Sequence, residues 1–213
     1  MLDGGPLDLD GRVGGAEDSP PLRMVWLGDS TAAGVGVDQP ADALPHLVAA
    51  AYDRPVELTV LAVSGDRVGD VLDDQLPALV DADPDVVFVS IGANDVTHLT
   101  TRDDFRDRYR AVLDGLPLGS EVVLLGVPDM GAVPRLAQPL RAVAGFRGRE
   151  LDEVVRQVAR EEGARYVPIA AATGPAFRDD PDVSFAADEY HPSAAGYQLW
   201  SDAVLAAVPT ISP

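Results

Sequence analysis

The stretch Arg23-Met24-Val25-Trp26-Leu27-Gly28-Asp29-Ser30-Thr31 is an apolar run that stops abruptly in small and polar residues. An unbroken apolar run of this length suits a strand buried on both faces of a parallel sheet. Gly28 to Thr31 then fall at the carboxyl end of that strand, where open α/β sheets bind their ligands.

The same arrangement recurs along the chain. Strands are expected over 23–27, 56–62, 86–91, 122–127 and 165–169. The second runs into Ser64-Gly65-Asp66, and the third ends in Gly92-Ala93-Asn94-Asp95. Helical stripes lie between them. Val68, Val71, Leu72, Gln75, Leu76 and Leu79 recur at three and four residues, as do Phe105, Tyr109, Val112, Leu113 and Leu116. Leu151, Val154, Val155 and Val158 form another stripe, and Tyr197, Trp200, Val204 and Val208 a looser one. A helix over 41–52 must carry Pro45 in its first turn or be broken by it. Regular alternation predicts an α/β fold: a three-layer α/β/α sandwich on a five-stranded parallel sheet with right-handed crossovers. Residues 1–21, rich in Gly, Pro and Asp, read as a flexible arm, and 22–213 as the folded domain.

Composition narrows the chemistry. The 213 residues include no Cys, which excludes disulfides, thiolate metal sites and cysteine nucleophiles. Every one of the 16 cationic side chains is Arg, which excludes Schiff bases and the lysine-containing phosphate loop. A formal charge of −19 disfavours a phosphate backbone as partner, so no nucleic acid is expected. No apolar run is long enough for a membrane span.

Three features gather the parts of an acyl-transfer site. Ser30 follows a strand and precedes the turn Ala33-Gly34-Val35-Gly36; read by itself it is a polar turn residue. His191 lies in Asp188-Glu189-Tyr190-His191-Pro192, with Pro192 suited to the first turn of the last helix. At that spacing the Asp188 carboxylate can reach the imidazole and hold one ring nitrogen protonated, leaving the other free as a base. Asn94 is the single Asn in the chain, either a turn former or a neutral donor for developing negative charge.

In order and spacing, Gly28-Asp29-Ser30, Gly65, Gly92-Ala93-Asn94-Asp95 and Asp188-Glu189-Tyr190-His191 resemble the four blocks of the SGNH, or GDSL, hydrolases. The resemblance spans about Leu22 to Val208. It implies a flavodoxin-like sheet, Ser30 as nucleophile, His191 as general base and Asp188 as its orienting carboxylate. It also implies an oxyanion hole made of the Ser30 and Gly65 backbone N–H groups and the Asn94 amide. Thr31 departs from the usual Ser or Leu after the nucleophile, and Val60-Leu61-Ala62-Val63 lacks an Asn that many relatives carry.

Other groupings carry less. Asp29, Asp66, Asp95, Asp129 and Asp188 suggest a metal site only through the abundance of Asp, and none is expected; Asp29 and Asp95 suit strand-end turns. His46 belongs to a helix and His98 to the loop after Asn94, at the pocket mouth. Gly34-Val35-Gly36 is no dinucleotide fingerprint, and no Gly-x-Ser-x-Gly elbow occurs. The expected function is therefore cofactor-free hydrolysis of a small-molecule carboxylic ester through an acyl-serine. The acyl group, small or lipid-like, is expected against the loop running from Pro128 through Met130 to Phe146. A thioesterase or a carbohydrate O-deacetylase on the same apparatus, a non-catalytic binding module, and a flavodoxin-like cofactor or signalling domain are the alternatives. Oligomeric state and compartment stay open, the latter between cytoplasm and an extracytoplasmic domain whose N-terminal anchor lies outside this chain.

Overall fold

The structure, a computed structural model, describes residues 7–15, 20–79 and 82–208. Its centre is one six-stranded sheet in the order β1-β3-β2-β4-β5-β6. The strands are β1 (Gly11–Val13), β2 (Leu22–Gly28), β3 (Val56–Val60), β4 (Val86–Ser90), β5 (Glu121–Leu125) and β6 (Arg165–Val167). From β3 across to β6 all pairings are parallel, with Met24 opposite Leu58 on one side of β2 and Val86 on the other. This is the flavodoxin-like order, and the chain reverses its direction of winding at β2.

The five-stranded, purely parallel expectation needs correction. β1 pairs antiparallel with β3, Gly11 opposite Leu58 and Val13 opposite Val56. β1 lies inside the expected arm, of which residues 1–6 and 16–19 are outside the described residues. The rest of the arm is tied down. Leu9 is buried, and Asp10 Oδ1 accepts the Val60 N–H at 2.7 Å. His46 Nε2 lies 3.1 Å from the Leu9 carbonyl. A three-residue strand shows no periodicity of its own; it forms because β3 would otherwise be an uncovered edge.

The helices are α1 (Leu44–Ala50), α2 (Val68–Asp70), α3 (Ala93–Thr97), α4 (Arg102–Asp114), α5 (Leu140–Glu162), α6 (Ile169–Asp179), α7 (Pro181–Ser184) and α8 (Ala194–Ala207). α1, α6 and α8 pack together on one face, and α2, α4 and α5 on the other. Pro45 sits in the first turn of α1 and does not break it. The stripe after Arg67 is no regular helix. α2 gives way to a π turn over Val71–Gln75 and a 3-10 turn over Leu76–Leu79. Pro77 explains the break, because it has no N–H to continue the α ladder. α8 begins after Ser193, whose hydroxyl accepts the Gly196 N–H at 3.1 Å, so Pro192 precedes the helix. Residues 165–169 were expected as one strand, but Pro168 ends β6 and Ile169 opens α6.

The core lies on both faces of the sheet. Trp26 and Phe88 are register partners on β2 and β4, stacked at 4.4 Å between ring centroids. Among the described residues no helix is long and apolar enough to cross a membrane.

Candidate active site

β2, β3 and β4 are neighbours, so the polar segments that follow them share one edge of the sheet at the reversal point. Ser30 follows β2 by two residues in a turn fixed from several sides. Asp29 Oδ1 accepts the Thr31 N–H at 3.0 Å and its hydroxyl at 2.8 Å, and the Thr31 hydroxyl lies 3.0 Å from Ser90 Oγ. The Val35 N–H closes onto the Ser30 carbonyl, and the Tyr197 hydroxyl onto that of Val35. Gly36 adopts φ +107, where a Cβ atom would lie 2.3 Å from the Pro192 carbonyl oxygen and 3.1 Å from His191 Cβ. That close approach brings the turn against the segment carrying His191.

The expected residues meet. His191 Nε2 lies 3.0 Å from Ser30 Oγ, and His191 Nδ1 lies 2.5 Å from Asp188 Oδ2. Asp188 Oδ1 accepts the backbone N–H groups of Tyr190 and His191, both at 3.0 Å. Glu189 makes this tight turn possible by adopting φ +57. Burial tends to raise the Asp188 pKa, but hydrogen bonds from the His191 ring and from the His191 and Tyr190 backbones bring it below the ordinary range. A carboxylate held ionised against Nδ1–H leaves Nε2 to exchange a proton with Ser30.

Donors stand beside them. Neither the Ser30 N–H nor the Gly65 N–H has an acceptor among the described residues. Gly65 adopts φ +97 in the turn after β3, a conformation open to glycine. Asn94 Nδ2 donates one hydrogen to the Asp66 carbonyl at 2.9 Å, leaving its second N–H. Ser30, Gly65, Asn94 and His191 all line one open groove of about 460 Å³. The arrangement can therefore stabilise the carbonyl-derived oxyanion of a tetrahedral adduct on Ser30 Oγ.

Arg135, Leu136 and Tyr190 form the far side of this groove. The two lips are pinned from α5. Arg141 Nε donates to the Leu136 carbonyl at 2.7 Å and its guanidinium also reaches Pro134. Arg147 donates to the Thr100 carbonyl at 2.6 Å and to Val96 at 3.4 Å. A second, smaller pocket of about 40 Å³ lies behind Ser30, walled by Met130, Val133, Phe177, Phe185 and Trp200.

The long loop expected to reach Phe146 ends earlier. α5 starts at Leu140, and Phe146 is exposed on its outer flank instead of facing the groove. His98 Nδ1 lies 2.9 Å from the Asn94 carbonyl, and Thr97 takes its place at the groove. Asp29 is buried, and burial pushes its pKa up to about 6. Asp29 bonds its own turn as expected, whereas Asp95, also buried, lies in α3 and accepts the Val68 N–H at 3.1 Å, tying α3 to the start of α2 instead of closing a strand-end turn. Among the described residues no group of three or more His, Asp or Glu is placed to hold a metal. One residue escaped notice as a site residue. Gln75 is buried and grips the end of β2. Its signal was being the one polar side chain in the apolar stripe from Val68 to Leu79.

Known proteins share this organisation. The chain is 31% identical over 194 residues to a GDSL-like esterase of Mycobacterium tuberculosis, the match covering 88% of this chain and 62% of that protein. It thus spans less than two thirds of that relative's length. A lipase/acylhydrolase of Enterococcus faecalis has the same fold, with a TM-score of 0.72 at 23% identity, covering 87% of this chain and 94% of that one. A phospholipase A1 of Streptomyces albidoflavus superposes with a TM-score of 0.67 at 23% identity, covering 89% and 100%. The GDSL-like Lipase/Acylhydrolase family matches residues 26–199, a stretch that holds all the blocks just described. The chain belongs to that family.

Proposed function

We propose that this protein hydrolyses carboxylic esters through an acyl intermediate on Ser30. The observation that carries this reading is the continuous chain from Ser30 Oγ to His191 Nε2, and from His191 Nδ1 to Asp188, beside two unengaged backbone N–H groups. Ser30 Oγ attacks the carbonyl carbon while Nε2 takes its proton, and the carbonyl electron pair moves onto oxygen. The Ser30 and Gly65 N–H groups and the Asn94 amide hold that oxyanion. Its collapse breaks the bond to the alcohol oxygen, which leaves with the proton from Nε2. Water, deprotonated by the same nitrogen, then attacks the acyl-serine; the proton returns to Ser30 as the acid departs. No step calls for a cofactor.

The substrate is a small-molecule ester with a small or lipid-like acyl group. The open groove past Leu136 and Tyr190 supports this, since it is wide and partly apolar. The test is covalent. A fluorophosphonate should label the peptide bearing Ser30, and Ser30→Ala should retain less than about a hundredth of wild-type esterase activity with an unchanged melting midpoint. Labelling elsewhere, or substantial activity in Ser30→Ala, would refute the acyl-Ser30 route. Parallel assays with nitrophenyl esters, acyl-CoA thioesters and acetylated sugars rank the thioesterase and deacetylase alternatives.

A further inference from the structure

Residues 130–149 contain four Arg residues and no Asp or Glu, in a chain of formal charge −19. They follow β5 and begin α5, so they stand at the same end of the sheet as Ser30. α4 packs beside α5 and starts at this end too, with Arg102 as its first residue. Elsewhere Arg is mostly spent on carboxylates, as in Arg23 with Asp83 and Asp85, or Arg156 with Glu153. Arg102, Arg135, Arg141, Arg147 and Arg149 form no ion pair among the described residues. Arg141 and Arg147 each donate two hydrogen bonds to backbone carbonyls, which are neutral acceptors.

Apolar side chains are interleaved with these cations. Leu140, Val143 and Phe146, three residues apart on α5, are 55%, 47% and 57% exposed, and Leu99 beside the opposite lip is 63% exposed. Arg102, Arg149 and Phe146 line one hollow together with Glu150 and Glu153, and Arg102 acts electrostatically on Glu153. Single exposed apolar residues are ordinary. A row of them on a helix, among Arg residues that form no ion pair and beside a groove, has the composition of an interfacial helix.

We propose that this face, the first half of α5 with Leu99 and Arg102, docks the protein on an anionic lipid surface. The charge selects that occupant: the four Arg residues of 130–149, with no Asp or Glu among them, suit headgroup phosphates, and Leu140, Val143 and Phe146 suit the acyl boundary just beneath. These side chains project from a helix flank and form no deep cleft for a peptide. The net negative charge repels an anionic surface at long range. At physiological salt the Debye length is only about 8 Å, so once the face touches, the groups on it dominate. Docking in this way sets the groove mouth beside the lipid.

The experiment measures binding apart from catalysis. The full chain is sedimented with phosphatidylglycerol vesicles and, separately, with phosphatidylcholine vesicles. Binding is expected to the first and to be far weaker with the second. Arg102→Gln and Arg149→Gln should each weaken binding about fivefold. Val143→Ser combined with Phe146→Ser should abolish it. Arg165→Gln, at the opposite end of the sheet, should leave binding unchanged. All these variants alter exposed side chains, so melting midpoints and hydrolysis of a soluble nitrophenyl ester should stay within about twofold of wild type in rate. Absence of binding, equal binding to both vesicles, or equal loss in Arg165→Gln would overturn the proposal. A chain that binds vesicles but hydrolyses no ester would instead count against the acyl-Ser30 reading alone.

Discussion

The side-chain amide of Gln75 holds the backbone of Gly28 from both sides: Oε1 accepts the Gly28 N–H and Nε2 donates to the Gly28 carbonyl, each at 2.8 Å. Its remaining hydrogen goes to Asp66 Oδ2, also at 2.8 Å. Gly28 lies two residues before Ser30, and Asp66 directly follows Gly65. The register pairing of β2 with β3 ends at Trp26 and Val60, and beyond it the Gln75 amide adds to the bonds from the Leu61 N–H to the Trp26 carbonyl and from the Val63 N–H to the Gly28 carbonyl. The π turn that widens the helix at Val71–Gln75 aims the amide at this end of β2.

Gln75→Ala should therefore act on both stability and rate. It leaves the buried Gly28 N–H without a partner, while the Gly28 carbonyl keeps the Val63 N–H at 3.1 Å, a loss of about 1–3 kcal/mol in denaturant unfolding. It also frees the segments carrying Ser30 and Gly65 to shift, and a displacement of that kind lowers kcat by about 10- to 100-fold with little change in KM. If kcat per folded molecule is unaffected, Gln75 serves the fold alone.

Asp29 makes a prediction about pH. Burial is the main cause of its rise from 3.8 to about 6, with the Thr31 hydrogen bonds opposing it. A carboxyl whose folded pKa lies above its unfolded one binds more protons in the native state between those values. Stability from this group therefore falls as pH rises from about 4 to 6, and the deficit persists above. Asp29→Asn keeps the acceptor for Thr31 and removes the buried charge. It should raise stability at pH 7–8 by roughly 2–3 kcal/mol, a gain that disappears near pH 4. Urea unfolding of both proteins across this range is the measurement, and a gain independent of pH would show that Asp29 is not ionised at a cost.

Gly36→Ala tests the contact between the two halves of the site. The added methyl would sit 2.3 Å from the Pro192 carbonyl oxygen, at a φ of +107 that L residues rarely adopt. Either the turn after Ser30 or the segment bearing His191 must move. The expected result is a melting midpoint lowered by several degrees and a kcat loss of about 10²-fold or more. Gly119→Ala provides the comparison, because φ is +96 there but no atom lies within 4 Å. It should cost stability without touching kcat.

Local signals made the strand ends and the Ser30, Asp188 and His191 set legible, since a buried strand followed by Gly and a polar residue needs no distant partner to be recognised. Other parts depend on contacts that no short window contains. β1 exists because β3 offers it an edge. α6 runs through Gly174 and Pro175 because Thr173, Gly174 and Phe177 are buried on its inner side, which outweighs the loss of one backbone donor. Gln75 reads in the sequence as one more member of the helical stripe, because its partner, the end of β2, lies 47 residues away. Arg141 and Arg147 resembled any other surface Arg, since their carbonyl acceptors lie on loops whose position only the fold sets.

Asn94 separates an oxyanion donor from a structural turn residue, and the geometry sharpens the distinction. Its amide already gives one hydrogen to the Asp66 carbonyl and so is held in place, with the other hydrogen left over. A ground-state ester carbonyl is a modest acceptor, so losing that second donor should weaken substrate binding only slightly. In the tetrahedral transition state the same oxygen carries nearly a full negative charge, and the donor matters far more. Asn94→Ala should lower kcat by about 10²–10³, equivalent to ~2.7–4 kcal/mol, while KM changes a few-fold. Asn94→Asp should be at least as harmful. Once ionised it offers no hydrogen to either the oxyanion or Asp66, and it sets a negative charge where another must develop. A residue that only shapes the turn would give the opposite pattern, with Asp tolerated, Ala lowering the melting midpoint, and kcat per folded molecule steady. Measuring kcat, KM and the melting midpoint for both variants decides between them, and full activity in Asn94→Asp would remove Asn94 from the oxyanion hole.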